Sequence, residues 1–127
     1  MIRVLYSLAT RVAQPLLRRK LRRRGQAEPG YLEKVEERFG HYAQRVEPGA
    51  LWIHAVSLGE TRAAAILIDA LRQREPGLRI LLTHGTATGR AEGLRLLRDG
   101  DLQAWLPWDT PEAVDRFLAH FQPSAGV

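Results

Sequence analysis

Short apolar runs alternate with helical patterns from Leu51 onward. The apolar runs cover 51–56, 78–83 and 102–106, and the helical patterns that follow them cover 61–74, 89–98 and 111–121. Short, mostly apolar runs joined by helices are typical of strands buried on both faces of a parallel sheet. The order βαβαβα therefore predicts an α/β fold, a parallel sheet with flanking helices and right-handed crossovers, and its rhythm places a fourth strand at 123–127.

The first 24 residues have one apolar face and a run of basic side chains. At helical spacing the apolar face consists of Ile2, Leu5, Leu8, Ala9, Val12 and Leu16, and the opposite face consists of Arg3, Ser7, Arg11, Gln14 and Arg18. The apolar part is too short to span a bilayer, and the main basic cluster follows it, unlike in a secretory signal. We interpret residues 1–24 as an in-plane membrane anchor that binds an anionic surface. A helix packed on its own domain and an RNA-binding arm are the alternatives.

The distribution of charge and the composition exclude several kinds of binding partner and of catalytic site. The 127 residues carry a net charge of +5, but residues 1–27 hold eight basic side chains and no acidic one. The remainder of the chain is slightly acidic, which argues against a domain that binds nucleic acid through a basic face. There is no cysteine, so disulfides, thiolate catalysis and cysteine-bound metals are excluded. No metal-ligand spacing or nucleotide-binding motif is present, and we expect no cofactor.

The segment between the basic helix and the first strand is polar. Gly25, Pro29 and Gly30 interrupt the helical pattern, and residues 31–45 are rich in Glu and Arg. We therefore predict a linker and a polar helix over 25–49, followed by a single α/β domain over 50–127.

The first strand-to-helix turn contains an acidic residue. Ligands of parallel α/β sheets bind beyond the carboxyl ends of the strands, which is where this turn lies. Ser57 and Gly59 are expected to allow a tight turn, and Glu60 enters the first turn of the helix. The positive end of a helix favours the ionised carboxylate, which accepts protons. Ordinary helix capping by Glu60 is the alternative. His54 lies within the apolar strand and is expected to be a hydrogen-bonded core residue.

The second turn, 83–90, has the composition of an anion site. Thr86, Thr88, Gly89 and Arg90 combine hydroxyls, backbone N–H groups and a cation at a helix N-terminus. The alternative is a structural turn in which Thr88 caps the helix. His84 either adds charge near neutral pH or fills space.

These turns resemble the bacterial 3-deoxy-D-manno-octulosonic acid (Kdo) transferases. The resemblance rests on the segments His54 to Thr61, Thr83 to Gly89 and Leu106 to Pro111, on Arg116-Phe117-Leu118, and on Tyr6, Gln14-Pro15-Leu16 and Glu37-Arg38-Phe39-Gly40. Order and spacing agree over essentially the whole chain. The second turn departs from the family at His84, Gly85 and Ala87.

The resemblance implies an incomplete N-terminal, acceptor-side domain of a metal-independent, inverting GT-B glycosyltransferase. Such enzymes transfer Kdo from CMP-Kdo to a lipid A precursor in lipopolysaccharide biosynthesis, at the cytoplasmic face of the bacterial inner membrane, as peripheral or monotopic proteins. By resemblance, Glu60 is the catalytic base, Ser57 and Gly59 shape its turn, and Thr86, Thr88, Gly89 and Arg90 face the phosphorylated acceptor or the sugar carboxylate.

The resemblance covers only the N-terminal part of the family. The donor site is expected mostly in a C-terminal domain, so we expect a fragment that is inactive alone. A membrane-peripheral adaptor without catalysis, or another GT-B transferase with a lipid acceptor, are the alternatives.

Overall fold

A four-stranded parallel sheet forms the centre of the computed structural model, which describes all 127 residues. The strands are β1 Leu51–His54, β2 Ile80–His84, β3 Leu102–Trp105 and β4 Ala125–Gly126, in the order β3-β2-β1-β4. Leu51 lies opposite Ile80 on one side and Ala125 on the other. The predicted α/β fold and the fourth strand within 123–127 are confirmed.

Five α-helices and two short 3-10 helices complete the fold. The α-helices are α1 Ile2–Val12, α2 Gln14–Ala27, α3 Leu58–Arg74, α4 Ala87–Leu94 and α5 Pro111–Phe121. The 3-10 helices cover Pro29–Leu32 and Val35–Phe39. The three predicted helices of the α/β domain are confirmed with changed bounds: α3 begins three residues earlier than expected because Ser57 caps it. Helix α4, predicted over 89–98, begins at Ala87 because Thr86 caps it, and it ends at Leu94.

The sheet is buried on both faces, as its apolar strands predict. One face packs Ile53, Ile80 and Leu82 against Ala64 and Ile68 of α3. The other face packs Leu81 and Ala104 against Phe117 and Phe121 of α5. The two layers leave the carboxyl ends of the strands as the open edge of the sheet.

The helix predicted over 31–45 is wrong. Lys34 has a left-handed backbone with φ of +47°, so the chain turns between the two 3-10 helices instead of continuing one helix. The segment has no continuous apolar stripe, and its few large side chains pack separately: Tyr31 stacks on Trp105 with ring centroids 6.2 Å apart, and Phe39 is buried. The Trp105 indole N–H also donates to the Glu33 carbonyl at 2.7 Å. Tertiary burial therefore overrides the local helical composition.

The predicted linker is a packed part of the domain. Helix α2 continues through Gly25 to Ala27, and a Cβ on Gly25 would lie 2.2 Å from the Leu32 side chain. This close approach explains a glycine in the last turns of a helix. Residues 25–40 thus hold α2 against the sheet edge.

Helix α1 contacts the rest of the molecule through its polar face. The Tyr6 hydroxyl donates to Asp109 at 3.0 Å, and Arg11 forms an ion pair with Glu112. No residue of α1 is buried, and its apolar residues Ile2, Val4, Leu5, Leu8 and Val12 are all exposed. Pro15 lies in the first turn of α2, directly after the helix break at Ala13, where a missing N–H costs little. No helix has both the length and the apolar character needed to cross a membrane.

Candidate active site at the carboxyl edge of the sheet

The first turn holds Glu60 at the surface in a fixed orientation. Ser57 caps α3 by accepting the Glu60 N–H at 3.4 Å, and the Glu60 carboxylate accepts the Val56 N–H at 2.5 Å. This reciprocal arrangement resembles a capping box, as the alternative interpretation of Glu60 expected. The side chain is nevertheless exposed, so the carboxylate remains accessible to a ligand. Capping and catalysis are thus compatible at this position.

Gly59 plays a different structural part from the one expected. Its φ is not positive, and no atom lies within 4 Å of the position that a Cβ would occupy. The turn therefore does not require glycine, because an alanine would fit without contact. The missing side chain leaves open space at the N-terminus of α3, one residue before Glu60.

The second turn is tied to the first. Thr86 caps α4 by accepting the Gly89 N–H at 3.2 Å, and its hydroxyl donates to the Val56 carbonyl at 3.0 Å. A Cβ on Gly89 would lie 2.9 Å from the Ser57 carbonyl carbon, so only glycine allows this approach. The cap is Thr86 and not Thr88, which is exposed. The two turns therefore form one rigid unit.

Arg90 is directed into the protein. Its guanidinium lies 3.5 Å from the Glu37 carboxylate and 4.7 Å from the centre of the Trp105 ring. Burial raises the pKa of Glu37, and the Arg90 charge opposes that rise. The contacts of Arg90 hold residues 35–39 on the sheet edge, and its role toward a substrate stays a prediction.

The two histidines at the strand ends differ in burial. His84 is fully buried, its Nδ1 lies 2.9 Å from the Ala55 carbonyl, and burial lowers its pKa to about 4. It is therefore neutral near pH 7 and fills space beneath the second turn. His54 is half-buried, with Nδ1 2.9 Å from the Thr83 hydroxyl, and burial lowers its pKa too. The expectation of a hydrogen-bonded His54 is confirmed.

A cavity of about 270 Å³ opens beside the first turn, between α2 and the carboxyl edge of the sheet. Its basic side chains are Lys20 and Arg24 of α2 and Arg38 of the second 3-10 helix. Its remaining lining residues are Leu17, Leu21, Tyr31, His54, Val56, Gly85, Leu106, Pro107 and Trp108. No acidic side chain lines this cavity, which we call the cationic cavity.

Arg38 is the residue of this edge whose role sequence reasoning missed. Only 5% of it is exposed, and its guanidinium lies 4.0 Å from the centre of the Trp105 ring and 5.3 Å from that of Trp108. One terminal nitrogen donates to the Gly85 carbonyl at 3.1 Å. Burial lowers the pKa of Arg38 to about 10, which leaves it charged at neutral pH. The run Glu37-Arg38-Phe39-Gly40 was the available signal, but composition alone suggested a solvated helix face.

No group of three or more His, Asp and Glu side chains is placed to hold a metal ion.

Comparisons with known proteins agree with the resemblance of the three turns. A family model described as 3-deoxy-D-manno-octulosonic-acid transferase (kdotransferase) matches residues 33–127. A 3-deoxy-D-manno-octulosonic acid transferase of Bordetella pertussis is 47% identical over 98% of this chain. The corresponding Haemophilus influenzae protein is 33% identical over 97% of the chain. A probable mitochondrial transferase of the same name from Arabidopsis thaliana is 38% identical over 95%.

The chain spans a minor part of these relatives. It covers 31% of the Bordetella protein, 29% of the Haemophilus protein and 27% of the Arabidopsis protein. No solved structure matches it.

Proposed function

Because the chain belongs to the Kdo transferase family, we propose that it forms the acceptor side of a glycosyltransferase that moves Kdo from CMP-Kdo to a lipid A precursor. The observation that carries the proposal is the exposed Glu60 carboxylate, held by the Val56 N–H at the carboxyl edge of the sheet. This is the edge at which open α/β sheets bind ligands.

Glu60 acts as the general base in this proposal. Its carboxylate accepts the proton of the acceptor sugar hydroxyl while the hydroxyl oxygen forms a bond to the anomeric carbon of Kdo. The bond from that carbon to the phosphate of CMP breaks, and CMP leaves with the electron pair. A base placed within hydrogen-bond reach typically contributes about 10² to 10⁴ in rate.

The exposed apolar face of α1 supports binding at a membrane surface, where a lipid acceptor resides. Because α1 contacts the domain through Tyr6 and Arg11, its leucines remain free to enter the headgroup region. Arg19, Lys20, Arg22 and Arg23 have no carboxylate partner, so anionic lipid is a suitable counterpart. We place the protein at the cytoplasmic face of the inner membrane, as a peripheral or monotopic protein.

The CMP-Kdo site is proposed to lie mostly in the part of the relatives that this chain does not match. The chain alone is then expected to bind CMP weakly or not at all and to transfer no Kdo. Joined to the C-terminal part of the Bordetella relative, it is expected to transfer Kdo to a lipid A precursor. Calorimetry with CMP and a transfer assay with both proteins measure this. Micromolar binding of CMP by the chain alone, or no product from the joined protein, contradicts the proposal.

A further inference from the structure

We propose that the cationic cavity binds a phosphate monoester and so positions the group that carries it beside Glu60. The proposal deepens the proposed function, on which it rests, because it gives the acceptor site a specific anion subsite. The observation that carries it is the convergence of Lys20, Arg24 and Arg38 on a cavity with no acidic residue.

The three cations have no internal counter-ion. None of the seven ion pairs of the structure includes Lys20, Arg24 or Arg38. Arg18, which lies between the lining residues Leu17 and Lys20 but does not line the cavity, does pair with Glu36, with nitrogen and oxygen 2.7 Å apart. Arg38 is buried without a carboxylate partner, an arrangement that costs free energy until an anion arrives. A bound anion relieves both the burial cost and the repulsion among the three cations.

Two hydrogen-bond donors without a partner belong to residues that line the same cavity. The Nε–H of Arg38 and the indole N–H of Trp108 are buried and have no hydrogen-bond partner. Both residues line the cavity, and the backbone N–H of Trp108 donates to the Arg38 carbonyl at 2.7 Å, which joins them. Two of the four buried side-chain nitrogens without a hydrogen-bond partner thus belong to residues that line this cavity, and the other two, Arg72 Nε and His84 Nε2, do not.

Shape and charge favour a phosphate monoester over a carboxylate. The cations approach from two directions, with Lys20 and Arg24 on α2 and Arg38 on the sheet edge. A phosphate monoester offers three oxygens and nearly two negative charges at pH 7, whereas a carboxylate offers two oxygens and one charge. The volume of about 270 Å³ and the apolar wall of Leu17, Leu21 and Leu106 leave room for part of an attached group.

The cavity also adjoins the turn that holds Glu60, the proposed base. Val56 lines the cavity, and its N–H is the group that holds the Glu60 carboxylate. An acceptor anchored through its phosphate in the cavity is therefore expected to extend toward the turn that carries Glu60. The phosphate itself has two possible sources, a membrane lipid or a soluble phosphate ester, which an experiment distinguishes.

The test compares two double variants of α2 that lose the same charge. Lys20→Ala with Arg24→Ala removes two cavity cations, whereas Arg19→Ala with Arg23→Ala removes two exposed arginines outside the cavity. Titration of the full chain with inorganic phosphate at constant ionic strength, followed by calorimetry, is expected to show saturable binding. The cavity variant is expected to bind about tenfold or more weakly, which corresponds to about 1.4 kcal/mol, and the matched control to bind like the wild type.

Lipid vesicles identify the source of the phosphate. A selective loss of binding by the cavity variant on phosphatidic acid vesicles, relative to phosphatidylglycerol vesicles, indicates a lipid-borne monoester, and a loss with inorganic phosphate alone indicates a soluble one. Equal losses in both double variants with every probe, no phosphate binding by the wild type on either probe, or acetate binding as tightly as phosphate overturns the proposal. Because Arg38→Gln risks the fold, the exposed α2 positions carry the test. No donor is present in these titrations, so their outcome is independent of whether the joined protein transfers Kdo.

Discussion

At the residue scale, Gly89 determines how closely the turns 57–60 and 86–89 approach each other. A Cβ there meets the Ser57 backbone and the Thr86 hydroxyl, both at 2.9 Å, whereas a Cβ on Gly59 meets nothing within 4 Å. Gly89→Ala is therefore expected to destabilise the fold by about 1–3 kcal/mol, because two backbone segments must separate. Gly59→Ala, the matched control, is expected to be neutral or slightly stabilising, since alanine favours helix. Denaturant unfolding measures both, and equal stability of the two variants contradicts the packing assigned to Gly89.

His84 gives the fold a pH dependence with a defined sign. Burial lowers its pKa from 6.5 to about 4, so between these values the unfolded chain binds a proton that the folded chain does not. Stability is therefore complete above about pH 6.5 and is lost as the pH falls toward 4, by up to about 3 kcal/mol from this residue. His84→Asn is expected to flatten this dependence.

The measurement for His84 is the free energy of unfolding as a function of pH. His41→Asn is the control, because it removes an exposed histidine. An equally steep loss of stability in His84→Asn and the wild type would show that His84 does not contribute the dependence.

At the element scale, the alternation of strands and helices was predictable because each element buries its own periodic pattern. Helix α5 matches its predicted range, 111–121, since Thr110 and Pro111 mark its start in the sequence. The segment 31–45 was not predictable in the same way. Its charged residues Glu37 and Arg38 are buried through partners distant in sequence, Arg90 and Gly85, which no local pattern reveals.

The candidate site, too, was only partly predictable from the sequence. Ser57 and Glu60 were singled out because both belong to one turn of the sequence. The structure gives Glu60 the capping contact of the alternative interpretation, and it makes Ser57 the helix cap, a role that the sequence analysis did not assign to it. The cationic cavity was not identified, because α2, the second 3-10 helix and the segment 106–108 after β3 meet there only in three dimensions. The basic residues of α2 were assigned as a group to a membrane, without separating those that line a cavity.

A prediction at the element scale concerns the binding of α1 to membranes. Leu5 and Leu8 are 63% and 54% exposed, so replacing both with serine removes apolar surface without emptying a core. The change is expected to weaken binding to anionic vesicles by about tenfold or more, since burying a leucine contributes about 1.5–3 kcal/mol. Rising salt is expected to weaken wild-type binding as well.

Sedimentation with vesicles measures this effect. Ile66→Ser is the matched control, because Ile66 is 75% exposed on α3, far along the chain from the basic helix. Equal losses from both changes, or equal wild-type binding to neutral and anionic vesicles, would contradict a membrane anchor in α1.

At the scale of the whole molecule, α1, the cationic cavity and the turn of Glu60 are connected through neighbouring elements. Helix α2 links them, because it continues from α1 and supplies Leu17, Lys20, Leu21 and Arg24 to the cavity. If α1 lies on a membrane as proposed, a lipid acceptor is expected to reach α2 before it reaches Glu60.

The variant Glu60→Gln, in the chain joined to the C-terminal part of the Bordetella relative, tests whether Glu60 is the general base. Glutamine keeps an acceptor for the Val56 N–H but is no base, so turnover is expected to fall by about 10² or more while the melting temperature changes little. Glu75→Gln, at the exposed C-terminal cap of α3 and outside every ion pair, is the matched control and is expected to leave turnover per folded molecule unchanged. If Glu60→Gln instead lowers the melting temperature and leaves turnover per folded molecule near the wild-type value, Glu60 is a helix cap and the catalytic account is wrong.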